Sequence, residues 1–218
     1  MNTDQSINGS GSTQTLQYYA QISKNVNEKL LLNAGAHLTY LPLNNTYSIE
    51  PRLSMQFTPH PQHALSLAYG LHSKILPMAA YFYAVQDTTN NVITESFPNM
   101  DLPMIKAHHL ISSYSYTTPK GFRFTTELYY QRLFNVPISP DPDNLYWMLN
   151  NRSSFPELKA ESGGKGENYG IDVAIEQFFS SKWYFLVTGS FFKSYFYPKD
   201  GERYNTTFAN DFVSALTI

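Results

Sequence analysis

Residues 46–58 alternate with a period of two. Tyr47, Ile49, Pro51, Leu53, Met55 and Phe57 are apolar, and the residues between them, Glu50 and Arg52 included, are polar. Successive side chains of a β-strand point to opposite faces, so this period predicts a strand with one apolar and one polar face. The same alternation predicts strands over 14–24, 29–41, 63–73, 121–133, 168–179 and 182–195, less cleanly over 106–117, and from about Asn205 onward. In 121–133, for example, Phe122, Phe124, Leu128 and Tyr130 stand opposite Arg123, Thr125, Glu127 and Gln131. This makes roughly nine strands, each near the roughly 9–11 residues that a tilted strand needs to cross a bilayer.

The connections carry as much information. Those at 25–28, 59–62, 118–121 and 180–182 are short. Those at 42–45, 74–104, 134–166 and 196–204 alternate with them, and two of these are very long. Antiparallel up-and-down order then puts the tight turns on one rim and the large loops on the other, the asymmetry of transmembrane barrels. Aromatic residues cluster near the predicted strand ends, as girdles at two membrane interfaces would. The fold class expected is all-β: an antiparallel up-and-down transmembrane β-barrel, partial, with the apolar faces toward lipid and the polar faces toward the lumen. Pro51 lacks a backbone donor, so a bulge or irregular pairing is expected beside it.

Composition narrows the classes. Among 218 residues, 15% are charged and 16% aromatic, with 17 Tyr, 15 Phe and no Cys. The formal net charge of −2 gives no basic surplus for nucleic acid. Without cysteine there is no disulfide framework and no thiolate metal site. The polar, Gly/Ser-rich opening, 1–13, reads as a loop segment and not as a signal peptide.

Candidate chemistry is sparse. Glu50 and Arg52 stand two residues apart on one face, about 7 Å along the strand, within reach of a lumen ion pair. Glu127, Asp172 and Glu176, with Arg123, read as further lumen-wall charges. Asp172 and Glu176 lie about 13 Å apart along the strand, too far for a glycosidase pair, which needs roughly 5–9.5 Å. His60 and His63 flank a turn without a third metal ligand, and the adjacent His108 and His109 point to opposite faces. No nucleophile elbow or phosphate loop occurs. Catalytic residues, cofactors and metals are therefore not expected. Tyr81, Tyr83, Tyr146 and Trp147 lie in the two long loops and are candidate ligand contacts, unless they pack on one another.

The runs 47–77, 121–138 and 167–196, followed by YNTTFANDF at 204–212, together resemble the barrel of TonB-dependent outer-membrane receptors from about residue 14 onward. The resemblance implies a barrel of about 22 strands filled by an N-terminal plug, in the outer membrane of a Gram-negative cell. It implies import of a scarce or large solute, with outer-membrane lipid, the TonB complex (through the plug) and a surface lipoprotein as partners. No plug or TonB-contacting segment is recognisable in 1–218, so the chain is expected to be an internal piece that contributes barrel wall and extracellular loops. Two other readings are a small porin-like outer-membrane barrel and a secreted carbohydrate-binding β-protein. The sequons at Asn44, Asn151 and Asn205 favour the last faintly.

Overall fold

The computed structural model describes residues 12–89, 92–151, 158–178 and 183–218. Most of the opening segment and the expected 180–182 turn lie outside these. Four hairpin-linked strands come first: β1 (Leu16–Asn27), β2 (Leu30–Leu41), β3 (Thr46–His60) and β4 (His63–Lys74). A short helix, α1 (Met78–Tyr81), and a separate hairpin, β5 (Val85–Thr89) and β6 (Val92–Ser96), follow. Then come β7 (Ile105–Thr117), β8 (Phe122–Ile138), a 3-10 turn at Met148–Asn150, β9 (Glu161–Gln177) and β10 (Phe185–Tyr197). Two short strands, β11 (Tyr204–Asn205) and β12 (Phe212–Thr217), close the chain.

The eight long strands form one antiparallel sheet in sequence order, with the β5–β6 hairpin outside it. β11 and β12 pair successive stretches of the same edge of β10, so they are two parts of a ninth wall strand interrupted at 206–211. The roughly nine strands expected are thus present, as a length of barrel wall. The outward residues Tyr47, Ile49, Leu53 and Met55 are exposed, as are Leu110, Leu128, Ile171 and Phe191 on later strands. Phe185 and Tyr195, ten residues apart on the outer face of β10, lie about 34 Å apart along the strand. At a tilt near 40° that is about 26 Å of height, close to the apolar band of an outer-membrane barrel.

The rims are unlike. Turns at 28–29, 61–62 and 118–121 are tight. In the last, Gly121 takes φ +81°, a backbone state that a side chain disfavours, and its N–H donates to the Thr118 carbonyl at 3.1 Å. The opposite rim carries 42–45, 75–104, 139–160 and 198–203. The second long loop is shorter than expected because β8 runs on to Ile138 and β9 already begins at Glu161. Asn135 at φ +57° sits in a register shift between Leu133 and Val136, a bulge that lets β8 continue.

At Pro51 the irregular pairing expected is present, on one side of the strand only. Pairing with β2 runs regularly through Pro51↔Ala36. The paired ladder with β4 ends instead at Arg52↔Gly70. The missing donor terminates the ladder on one side and produces no bulge in the other.

Hydrophobic burial concentrates at the loop rim. Leu41, Leu76, Tyr81, Met104, Val136, Ile138, Trp147 and Phe196 form one cluster with neighbouring loop residues. Mid-strand residues stay accessible because the wall is a single layer, so the loops supply most of the apolar core of this length of chain.

Candidate functional site

The inner wall is polar and its groups are joined. Glu50 on β3 is buried. It lies 3.1 Å from His37 Nδ1 on β2 and 3.2 Å from Arg52 Nη2, and accepts a hydrogen bond from Ser73 Oγ on β4. A buried carboxylate needs such partners, since desolvation strongly penalises an unpaired charge. Arg52, by contrast, is half-exposed. The Glu50–Arg52 pair was visible in the sequence, but His37 and Ser73 were not. Their signal lay in strand register, which sets His37 opposite Glu50.

Beside this cluster the His72 ring lies 4.6 Å from that of His109. From His109 a ladder of polar side chains crosses the wall. Thr206 donates to Ser194 at 2.7 Å, Ser194 to Asn168 at 2.6 Å, and Asn168 to Gln131 at 3.1 Å, with Gln131 3.4 Å from His109. Arg123 Nη2 pairs with Glu176 across β8 and β9, and its guanidinium lies 4.9 Å from the Phe178 ring centroid. Glu127 and Asp172 are register partners on the same two strands, and Asp172 accepts a hydrogen bond from Ser190. By register Glu50, Arg52, Arg123, Glu127, Asp172 and Glu176 share one face of the sheet. Glu127, Asp172, Gln131, Asn168, Ser194 and Thr206 border a cavity of about 530 Å³ that Trp147 and Phe208 also line.

The loops that roof the wall are fastened to each other. Asn99 is fully buried; its Nδ2 donates to the Leu158 carbonyl at 3.0 Å, and its Oδ1 accepts from the Ala160 N–H at 2.8 Å. Asn44 in the β2–β3 turn donates to the carbonyls of Met100 and Leu102, both at 3.0 Å. Sequence reading gave neither asparagine this role: Asn44 entered it only as a sequon, and Asn99 looks like an ordinary loop residue. Of the four aromatic candidates, Tyr83 and Tyr146 are partly accessible. Tyr81 is fully buried, its hydroxyl accepting from the Leu76 N–H at 3.4 Å, and burial raises its phenol pKa. Trp147 is also buried and stacks on Phe196 with ring centroids 5.3 Å apart. It lies across Gly164 and Gly166 of β9, where an added Cβ would come within 3.1 and 3.0 Å of the indole. Tyr81 thus packs inside the loop roof, and Trp147 packs on β9 with one edge on the cavity.

His63 lies 2.8 Å from the Tyr114 hydroxyl and His108 2.9 Å from that of Tyr69, so both imidazoles have phenol partners. Among the described residues no group of three or more His, Cys, Asp or Glu side chains converges.

No protein-family model and no curated protein sequence matches the chain. Solved structures do. The ferric-catecholate import receptor Fiu from Escherichia coli K12 superposes with a TM-score of 0.65 at 12% identity, covering 94% of this chain and 31% of its own. The alcaligin outer-membrane receptor FauA from Bordetella pertussis matches with a TM-score of 0.56 at 16% identity, covering 94% and 34%. The FrpB iron transporter from Neisseria meningitidis matches with a TM-score of 0.58 at 13% identity, covering 93% and 30%. The fold is that of a stretch of barrel from TonB-dependent outer-membrane receptors. The chain spans about a third of the length of these receptors. The solved neighbours are receptors and transporters, not enzymes.

Proposed function

We propose that the chain is barrel wall and extracellular loops of an outer-membrane TonB-dependent receptor that imports a scarce or large solute. The observation that carries this is the two-ended wall: an apolar outer face, a hydrogen-bonded polar inner face, tight turns at one rim and mutually fastened loops at the other. The outer face seeks lipid, and outer-membrane lipid is its solvent. Glu50, Arg52, Glu127, Asp172 and Glu176 line the lumen. Tyr83 and Tyr146 meet the solute at the loop mouth, with Tyr81 and Trp147 bracing them from beneath. Coupling to TonB runs through a plug that 1–218 does not supply, and a surface lipoprotein could cap the same loops. The solved neighbours import ferric-catecholate or transport iron or peptides, and the solute here belongs to the same broad range of large or scarce molecules.

The test is the intact mass of the native protein in outer-membrane fractions, detected with an antibody to the 139–160 loop. A band several times the 24.9 kDa of this chain is expected. A band near that mass would overturn active import and favour a small pore, and recovery in the detergent-free soluble fraction would overturn the membrane reading altogether.

A further inference from the structure

We propose that the cavity on the inner face of β8–β10 binds a ring of a neutral saccharide, so that the imported solute is a glycan. This rests on the barrel reading, which turns that face toward the lumen, and names the class of its solute. Strand register builds the site in three rows. Gln131, Asn168 and Ser194 are successive register partners and form an amide and hydroxyl row. One step toward the tight turns, Ile111, Tyr129, Gly170 and Phe192 form an apolar and aromatic row. One step further, Glu127 and Asp172 face each other. Side chains of all three rows line the cavity of about 530 Å³, within the roughly 300–1,000 Å³ of small-molecule pockets. Trp147 and Phe208 line it from the loops. Asn150 Oδ1, accepting from the Thr207 N–H at 3.0 Å, ties those two loops together.

Two features select the class of ligand. First, the cavity holds no cation: among the described residues that line it there is no Lys, Arg or His, and Glu127 and Asp172 are carboxylates. A phosphate, a carboxylate or a catecholate would give up its hydration there and meet only like charge. Second, the polar lining is rich in unused hydrogen-bonding capacity. Glu127 makes no hydrogen bond or ion pair among the described residues, and Asp172 accepts one from Ser190. Asn168 gives one N–H to Gln131 Oε1 at 3.1 Å and accepts on Oδ1 from Ser194 at 2.6 Å, which leaves each amide a second N–H and a second lone pair. A planar amide or carboxylate matches a pair of adjacent ring hydroxyls. The ladder already sets the amide orientations, so little freedom is lost on binding. The rest of the lining suits C–H groups: Phe208 is well exposed and offers its ring. A saccharide ring carries both surfaces at once, C–H groups on its faces and hydroxyls around its edge. An ammonium has no acceptor, so a polyamine would leave the N–H groups of the amide row unused.

The experiment uses the full-length protein, extracted from the outer membrane and titrated calorimetrically with maltohexaose, cellohexaose, xylohexaose and mannohexaose, and in parallel with a ferric catecholate and with spermidine. Barrel folding is checked first, by heat-modifiable gel mobility. Its absence would count against the barrel reading, whereas a folded barrel that binds none of the saccharides would sink only this proposal. At least one saccharide should bind, and the ferric catecholate and spermidine should not. Glu127→Ala should weaken saccharide binding roughly tenfold or more, through the loss of hydrogen bonds to a charged group. Glu127→Gln, which keeps a planar acceptor, should weaken it only severalfold. Phe208→Ala should weaken it roughly tenfold. Lys120→Gln, in a turn at the opposite rim, should change nothing. If the Glu127 variants fail to fold, Phe208→Ala, at an exposed loop position, carries the test. Binding of the ferric catecholate or of spermidine in place of the saccharides, or saccharide binding unchanged by both Glu127→Ala and Phe208→Ala, would each overturn the proposal.

Discussion

Asn99→Ala should release the loop roof without melting the barrel. In the native protein the Asn99 side chain satisfies two backbone groups of the other long loop, the Leu158 carbonyl at 3.0 Å and the Ala160 N–H at 2.8 Å. Asn99 and Ala160 are both buried, so truncation leaves a donor and an acceptor without partners. Each buried unsatisfied group costs about 1–3 kcal/mol, and partial relaxation of a surface loop makes roughly 2–4 kcal/mol a fair total. Because about 1.4 kcal/mol is a tenfold change in an equilibrium constant, the open population of the 158–160 segment should rise roughly thirty- to several-hundredfold. Hydrogen exchange by mass spectrometry on the detergent-solubilised protein reads this directly, as faster exchange of the peptide containing Ala160. The β7–β10 peptides should be unaffected, because their ladders do not involve Asn99. Unchanged exchange at Ala160 would refute the cross-brace, and a collapse of protection across all strands would refute its locality.

Other changes test the wall. Glu50→Ala strips His37, Arg52 and Ser73 of their shared partner; since Arg52 can turn to solvent, a loss of about 2–3 kcal/mol is expected, at or below the low end for a broken buried pair, measured as a lower urea midpoint for barrel unfolding. Gly170→Val should destabilise by about 1–3 kcal/mol in the same assay, because a Cβ there would come within 2.5 Å of the Phe191 carbonyl oxygen and 2.8 Å of the Tyr129 hydroxyl. Burial holds the Tyr81 phenol above its ordinary pKa of 10.0, so its contribution is complete below pH 10 and is lost as pH rises from there through the folded-state pKa. Loop protease sensitivity should climb over that alkaline range, and less steeply in Tyr81→Phe.

The periodicity of two placed all eight long strands to within several residues, because a single-layer wall with one apolar and one polar face must alternate along its length. It failed where other constraints outweigh alternation. Val136, Pro137 and Ile138 are all buried under the loop roof, so β8 loses its two-faced signature there. The glycines at 163, 164 and 166 look like a linker, yet 164 and 166 are the floor on which Trp147 lies. The β5–β6 hairpin was readable in principle, since Asn90-Asn91 separates two strand-like runs, but it was absorbed into a long loop. Burial of Tyr81 and Trp147 depends on contacts between segments far apart in the chain, and one-dimensional pattern cannot show those.

The side-chain ladder over the inner wall has a polarity. An amide has one donating and one accepting end, so Asn168, giving to Gln131 and receiving from Ser194, aligns its neighbours head to tail. With Gln131 Oε1 occupied, its amide nitrogen is left to face His109 Nδ1 at 3.4 Å. Each donor of the ladder then points the same way, from Thr206 toward β7, and the small dipoles add instead of cancelling. Reversing any one group would require turning them all. From Thr206 across β10, β9 and β8 to β7, these five side chains therefore behave as a single oriented array.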